Sequence, residues 1–564
     1  MIDLEKLTLK CLLRRSVEKF PQRPALSWVD GTPMTYEEFD QKVQDMSQFM
    51  HKQGIVAGDR VAILSENKPN WGIAYFAITT MGAVAVPILP DFHANEVHHI
   101  IRHAGCKGLF VSERLYDKVA EGEFDTLQMI IFIDDFSLIP PQTQKEKLRE
   151  VVREGTKEFA RLKETALRMA GKLKAEVQED DVASIIYTSG TTGHSKGVML
   201  THKNIVYNAI DTMNIQTVNE YDRLLSVLPL SHTYECTIGF VIPMMNGACV
   251  YYLDKPPTAR VLLPAMQKVK PTMMLTVPLI MEKIFKLRIL PSLTGSALMR
   301  GVYKIPFFRK TLHQIAGKKL IKTFGGELHF YGIGGAKLAP EVERFLREAR
   351  FPYAIGYGLT ETSPLAAGCG PSKTRFRSTG PALPGIEVKI DNPDPLTGEG
   401  EILVRGATVM KGYFRDPERT AQVITKDGWF KTGDLGVFDK DGYLYIKGRL
   451  KNMIVGSSGE NIYPEEIEAK INESDYVLES IVFEQQGQIT ARIHLNYEKL
   501  DEKYPHNKYS NSKIQEQIKN ILEEIRKDVN ARVSTFSRIN TVIEQTEPFE
   551  KTPTQKIKRY LYVN

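Results

Sequence analysis

The sequence is poor in cysteine, in net charge and in unbroken apolar stretches, and each shortage removes a class of protein. Its five cysteines (Cys11, Cys106, Cys236, Cys249 and Cys369) are scattered through 564 residues with no CxxC spacing. An odd, dispersed set fits reduced thiols in a cytoplasm rather than a disulfide framework or a zinc site. The 74 basic and 68 acidic residues leave a formal charge of +6, too small a bias to indicate nucleic-acid binding, although it suits anionic ligands. Met1 to Lys10 lacks the apolar core of a secretory signal, so a cytoplasmic location is expected. Two uncharged stretches, Pro69–Pro90 and Cys236–Leu253, approach the length of a membrane span. Gly72, Gly82 and Pro87 interrupt the first, and Pro243 and Asn246-Gly247 the second, so each reads as buried helix, turn, buried strand. His93, His98, His99 and His103 contain no HExxH, and a solvated helix face is expected there rather than a metal site.

What is present is ordinary globular composition, 42% hydrophobic and 25% charged, in a chain too long for one core. From Gly58 to about Ile139, apolar runs such as Val61–Leu64 and Gly108–Val111 alternate with helix-length segments such as Ala94–His103, and the rhythm resumes after Ser184. This predicts an α/β fold with mostly parallel sheets flanked by helices. Gln142–Val177, rich in Lys, Glu, Arg and Ala, predicts exposed helix. From Gly385 to Gly448 short strands alternate with glycine turns, a β-rich subdomain, and a small mobile α+β domain of about a hundred residues is expected to follow. The expected division is therefore 1–449, with a subdomain at about 385–449, and 450–564.

The most informative segment is Tyr187-Thr-Ser-Gly-Thr-Thr-Gly-His-Ser-Lys-Gly-Val198, between an apolar strand and a helix-like run. Backbone N–H groups at Gly190 and Gly193, the hydroxyls of Thr188, Ser189, Thr191 and Thr192, and the charge of Lys196 suit a phosphate-holding loop. It is not a Walker A loop, because the glycines are too close and Lys196 precedes Gly197 rather than Ser or Thr. With the segments that follow it in order, this loop resembles the signature of the adenylate-forming superfamily of acyl-CoA synthetases, luciferases and peptide-synthetase adenylation domains. The family commonly has Pro before the lysine where this chain has Ser195, a departure that loosens the loop.

The resemblance implies roles for residues that would carry none alone. In Leu228-Pro-Leu-Ser-His-Thr-Tyr-Glu235, His232 shapes the acyl pocket, with Tyr234 or Cys236 as the gate. Gly332-Ile-Gly-Gly-Ala336 fails as a dinucleotide fingerprint because Lys337 stands where the third glycine is needed; the resemblance instead puts Gly335 and Ala336 behind adenine. In Tyr357-Gly-Leu-Thr-Glu-Thr-Ser-Pro364, Tyr357 and Gly358 meet adenine, Thr360 bonds phosphate and Glu361 holds Mg²⁺. Asp434 takes the ribose hydroxyls, Arg449 contacts ribose or phosphate, and Lys451 is the hinge. Gly456 and Gly459 line the thiol tunnel, and Lys556 is the adenylation lysine, with Lys551 and Lys558 as register alternatives. ATP, Mg²⁺ and coenzyme A are the implied cofactors and co-substrates, and a long-chain fatty acid is the implied acid. An acyl carrier protein is the alternative thiol donor, and a non-catalytic binding module is the rival from another class. Separately, Lys283–Gly326 holds ten Lys or Arg and no Asp or Glu, mixed with apolar residues. This suits contact between Lys283–Lys322 and an anionic membrane, coenzyme A or a carrier protein, or simply a solvated basic helix pair.

Overall fold

The computed structural model describes residues 3–139, 176–188, 195–455, 460–505, 510–552 and 556–563. The expected helix at Gln142–Val177 therefore lies almost wholly outside the described residues. The chain forms two compact units, Met1–Val388 with Val404–Phe430, and Lys389–Leu403 with Lys431–Asn564.

The first unit is built on two eight-stranded sheets. In one, the strands Tyr353–Gly358, Phe330–Ile333, Met273–Thr276, Arg223–Ser226, Cys249–Tyr252 and Pro24–Trp28 lie side by side in that order, all parallel. The antiparallel strands Leu365–Gly368 and Met34–Thr35 close its edges. The other carries a parallel centre of Val182–Thr188, Val84–Ile88, Arg60–Leu64, Gly108–Val111 and Met129–Phe132. Strands such as Val84–Ile88 are buried along their whole length, as expected where both faces of a parallel sheet are covered.

The uncharged stretch Pro69–Pro90 forms the helix Pro69–Thr80 and then the strand Val84–Ile88. Apolar on every side, this helix belongs to a core that also takes in Leu26 of one sheet and Ile63 and Ala85 of the other, the environment such a helix requires. Trp71 stacks on Tyr75 at 5.1 Å and meets Phe240 edge-on at 6.1 Å. Gly72 allows that approach: a Cβ there would come within 2.8 Å of the Phe240 ring. No helix among the described residues is long and apolar enough to cross a membrane.

Two local expectations need correction. The segment after Tyr187 does not run from strand into helix: Lys196–Thr201 is a strand antiparallel to Val182–Thr188, with Thr188 opposite Lys196. The helix-like run expected beyond it does form a helix, His202–Thr212, where the Thr201 hydroxyl accepts the Asn204 N–H. His103 is not on a solvated face either; its Nδ1 lies 2.7 Å from the Tyr187 hydroxyl and its ring packs edge-on against Phe414.

In the second unit, the strands Val477–Gln485, Gln488–Leu495 and Thr541–Glu544 form one sheet. The helix Asn511–Asn530 contributes Ile514, Ile518, Ile521, Leu522, Ile525 and Val529 to its core, an apolar stripe of helical period. Most of a four-stranded sheet also belongs here, with the strands Phe430–Phe438 and Leu444–Arg449 antiparallel.

Candidate functional site

Parallel strands discharge their following loops at one edge of a sheet, where α/β proteins place their ligands. Three of the segments singled out in the sequence follow parallel strands of the first sheet. Leu228–Glu235 follows Arg223–Ser226, Gly334–Ala336 follows Phe330–Ile333, and the 3₁₀ turn Thr360–Thr362 follows Tyr353–Gly358. Gly335 (φ 89°) and Ala336 are exposed at this edge, and a Cβ on Gly358 would collide with the Pro364 carbonyl. Tyr357 is only 8% exposed, so little of its ring is open for stacking in this arrangement. Thr360 is buried beside Glu361 in sequence.

The chemical centre of the first unit is a trio of two buried side chains, Glu361 and Tyr413, and the half-buried Lys196. The Lys196 ammonium donates to Glu361 Oε1 at 2.6 Å and to the Tyr413 hydroxyl at 2.7 Å, and that hydroxyl donates to the same Glu361 oxygen at 3.0 Å. The short strand Gly412–Tyr413 delivers Tyr413 by pairing with Lys196–Thr201, and the Met410 N–H anchors the Glu361 carbonyl. Burial by itself would raise the Glu361 pKa, but the charge and hydrogen bond of Lys196 outweigh it and hold the group below the usual carboxylate range. The Tyr413 hydroxyl moves the other way, raised by burial and by the Glu361 charge. Tyr413 was not foreseen, because a lone tyrosine between Gly412 and Phe414 carries no signal of its own.

His232 accepts the Tyr234 N–H at Nδ1, 3.2 Å away, which places the proton of a neutral ring on Nε2. Tyr234 helps line a narrow apolar cavity of about 50 Å³, together with Ile238, Met273, Leu275, Phe330 and Ile355. Among the described residues no charged one lines it, and its wall is thinned by glycine: a Cβ on Gly332 would lie 2.8 Å from Leu275 and 2.9 Å from the Tyr234 hydroxyl. Tyr234 rather than Cys236 borders the cavity. Next in the chain, Glu235 is buried, with Oε1 receiving the Ser226 hydroxyl at 2.5 Å and Oε2 without a hydrogen-bond partner among the described residues.

Burial pushes the Glu235 carboxyl up to about 8. The unfolded chain releases that proton near 4.5 and the folded chain near 8, so each unit of rising pH between them removes stability, by at most about 1.4 kcal/mol. Glu235→Gln, which keeps the shape of the neutral acid, is expected to flatten this slope. Its advantage over the native chain in urea unfolding should be smallest at pH 5 and widen towards pH 8. Parallel unfolding curves across that range would show that Glu235 is not held neutral.

In the second unit, Asp434 and Arg449 face each other across antiparallel strands, with Arg449 Nε 2.8 Å from Asp434 Oδ1. Arg449 also donates to the Thr432 carbonyl at 3.3 Å. Lys451 follows in a single 3₁₀ turn, Leu450–Asn452, and is exposed. Lys556 is exposed near the end of the chain, its N–H 3.2 Å from the Thr552 hydroxyl and its carbonyl accepting the Thr552 N–H. The base of this segment is clamped twice: Phe549 is buried against Tyr562, and Arg559 is paired with the buried Glu468. Burial raises the Glu468 pKa, against the Arg559 charge, which lowers it. The register alternatives are engaged in ion pairs, Lys551 with Glu479 and Lys558 with Glu550. Glu468 and Arg559 were missed in the sequence, since neither lies in a recognisable pattern. Ser189, Gly190, Thr191, Thr192, Gly193, Gly456 and Gly459 lie outside the described residues.

The AMP-binding enzyme family model matches residues 13–414, and the AMP-binding enzyme C-terminal domain matches residues 451–564. The chain therefore belongs to the AMP-binding enzyme family and has its adenylate-forming fold. It is 29% identical over 508 residues to the long-chain-fatty-acid–CoA ligase heimdall of Drosophila melanogaster, covering 82% of this chain and 72% of that one. It is 27% identical over 627 residues to the chloroplastic long-chain-fatty-acid–[acyl-carrier-protein] ligase AEE15 of Arabidopsis thaliana, covering 98% and 84%. The solved structure of the O-succinylbenzoate coenzyme A synthetase of Bacillus subtilis with ATP and magnesium superimposes with a TM-score of 0.72 at 22% identity, covering 97% and 98%.

Proposed function

We propose that this chain is an ATP-dependent acid–thiol ligase that joins a long-chain fatty acid to AMP and passes the acyl group to coenzyme A. The observation that carries this reading is the Lys196–Glu361–Tyr413 trio at the sheet edge, in a unit that also holds an apolar cavity with no charged wall among the described residues. Both long-chain relatives bear the proposed acid in their names.

In the first half-reaction a carboxylate oxygen of the acid attacks the α-phosphorus of ATP and pyrophosphate departs. The acid is its own nucleophile, so the protein must align two anions and neutralise them. Lys196 would leave Glu361 for the departing phosphates, alongside the hydroxyls of Thr188 and Thr360 and the loop Ser189–Gly193. Glu361 would hold a magnesium ion. No group of three or more His, Cys, Asp or Glu suited to a metal occurs among the described residues. A single carboxylate completed by nucleotide phosphates and water is a common arrangement for this hard cation. The ion would supply charge neutralisation between phosphates.

Gly335, Ala336, Tyr357 and Gly358 would receive adenine, and Asp434, oriented by Arg449, the ribose hydroxyls. Residues 450–564 act as a lid in this reading, bringing Lys556 to the reacting carboxylate. Turning at Lys451 would exchange Lys556 for the loop containing Gly456 and Gly459, admitting a thiol that attacks the acyl carbonyl and expels AMP. His232 and Tyr234 would help to bound the acyl pocket, which Tyr234 lines.

The test is ATP–pyrophosphate exchange with a panel of acids from acetate to long-chain saturated acids, with an aromatic acid included. Exchange that rises with chain length supports the reading, and exchange supported by no acid removes it. Adding coenzyme A or an acyl carrier protein to the best acid then chooses the acceptor. The carrier-protein ligase among the relatives is the observation that favours the second of these.

A further inference from the structure

The basic stretch that the proposed chemistry leaves unused becomes, in three dimensions, an uncovered amphipathic surface. The helix Ala297–Lys304 contains no buried residue although its apolar and polar positions are segregated, and it leads through Ile305 into the helix Pro306–Thr323. Leu298 is 78% exposed, Phe307 75% and Leu287 70%, with Ile305, Phe308 and Ile315 also exposed. Phe307 and Phe308 stand together at the corner, ring centroids 5.6 Å apart. Exposed apolar side chains are ordinary singly and informative when grouped.

The charges on the same elements have one sign. Between Lys283 and Gly326 there are ten basic residues and no acidic one. Arg309 is occupied by Glu348, which takes two of its nitrogens at 2.8 and 3.1 Å. Arg300, Lys304 and Lys310 make no ion pair among the described residues. Side chains three-quarters exposed project from the surface rather than line a groove, so they suit a soft partner into which they can sink more than a shaped protein surface. Apolar projections ringed by lysine and arginine are what an anionic bilayer surface accepts: the rings enter the acyl boundary and the cations remain among the headgroups.

We propose that the helices Ala297–Lys304 and Pro306–Thr323 form a membrane-docking surface that seats this protein on anionic phospholipid, with Leu298, Ile305, Phe307 and Phe308 inserted. The argument is independent of the acid and the thiol that the enzyme uses. The full chain should be sedimented with vesicles of phosphatidylcholine alone and of phosphatidylcholine with phosphatidylglycerol, at low and high salt. Binding is expected only to the anionic vesicles and should weaken with salt. Phe307→Ser/Phe308→Ser and Arg300→Glu/Lys304→Glu/Lys310→Glu should each lower partitioning by about tenfold or more, with unchanged thermal unfolding and unchanged pyrophosphate exchange on a water-soluble acid. Equal binding to both vesicle types, no binding to either, or anionic binding unaffected by these substitutions would overturn the proposal. Loss of binding to an acidic carrier protein in the variants, with vesicle binding intact, would also overturn it and assign the surface to a protein.

Discussion

Lys556→Ala is expected to abolish most pyrophosphate exchange while leaving the second half-reaction largely intact. Deleting a preorganised cation from a reaction that brings two anions together costs ~10²-fold or more in rate. The same residue has no part in thiol attack under the proposed swing, so transfer from chemically prepared acyl adenylate to coenzyme A should continue. The two halves must be measured separately, since the overall rate would fall in either case. The opposite pattern, exchange retained and transfer lost, would move the adenylation role elsewhere, with Lys551 and Lys558 next in line. The exposed position of Lys556 on a segment clamped by Phe549 and by the Glu468–Arg559 pair makes gross misfolding of the variant an unsuitable explanation for either result. The clamp fixes the base of the segment and leaves Lys556 outside it.

The second large effect is expected at Lys196→Met, and it should appear in stability as well as in activity. Removing one member of a fully buried ion pair leaves the other uncompensated at a cost of roughly 3–5 kcal/mol, and the cost here is expected to be lower because the Lys196 side chain is 22% exposed. Glu361, 6% exposed, would be that remaining charge, still touched by the Tyr413 hydroxyl but without its cation. The native Glu361 pKa is lowered, so its contribution is present above the unfolded value near 4.5 and is lost as pH falls through the folded one. The deficit of the variant in urea unfolding should therefore be greatest near neutrality and shrink in acid. Pyrophosphate exchange should fall at every pH, because in the proposed mechanism Lys196 also serves the phosphates. A variant as stable as the native chain at pH 7 would mean that Lys196 and Glu361 are not coupled in solution.

Much of the site could be read from local chemistry. Glycine and hydroxyl density from Thr188 to Gly197 announces itself because its use lies in its own backbone and side chains, whereas Glu361 and the glycines before Ala336 were marked only by the resemblance to the family. The alternation of apolar runs likewise announced mostly parallel sheets, since burial on both faces leaves a continuous apolar signature. The strand Lys196–Thr201 was hidden because its residues are read equally well as a loop running into a helix; only pairing with Val182–Thr188 and Gly412–Tyr413 makes it a strand. His103 looked solvent-facing for a similar reason, its partner Tyr187 lying 84 residues away.

The sequence by itself determined the chemistry available to this protein and its family, both of which rest on residue type and short-range spacing. Only the tertiary structure decided that Lys196 pairs with a glutamate 165 residues distant and that both meet Tyr413. It alone showed that Glu235 is buried with one oxygen unpartnered, and that the apolar residues around Phe307 are left uncovered. The physical reason is that charge neutralisation, desolvation and exposure belong to an environment, and an environment is assembled from segments that have no relation to one another until the sheets bring them together.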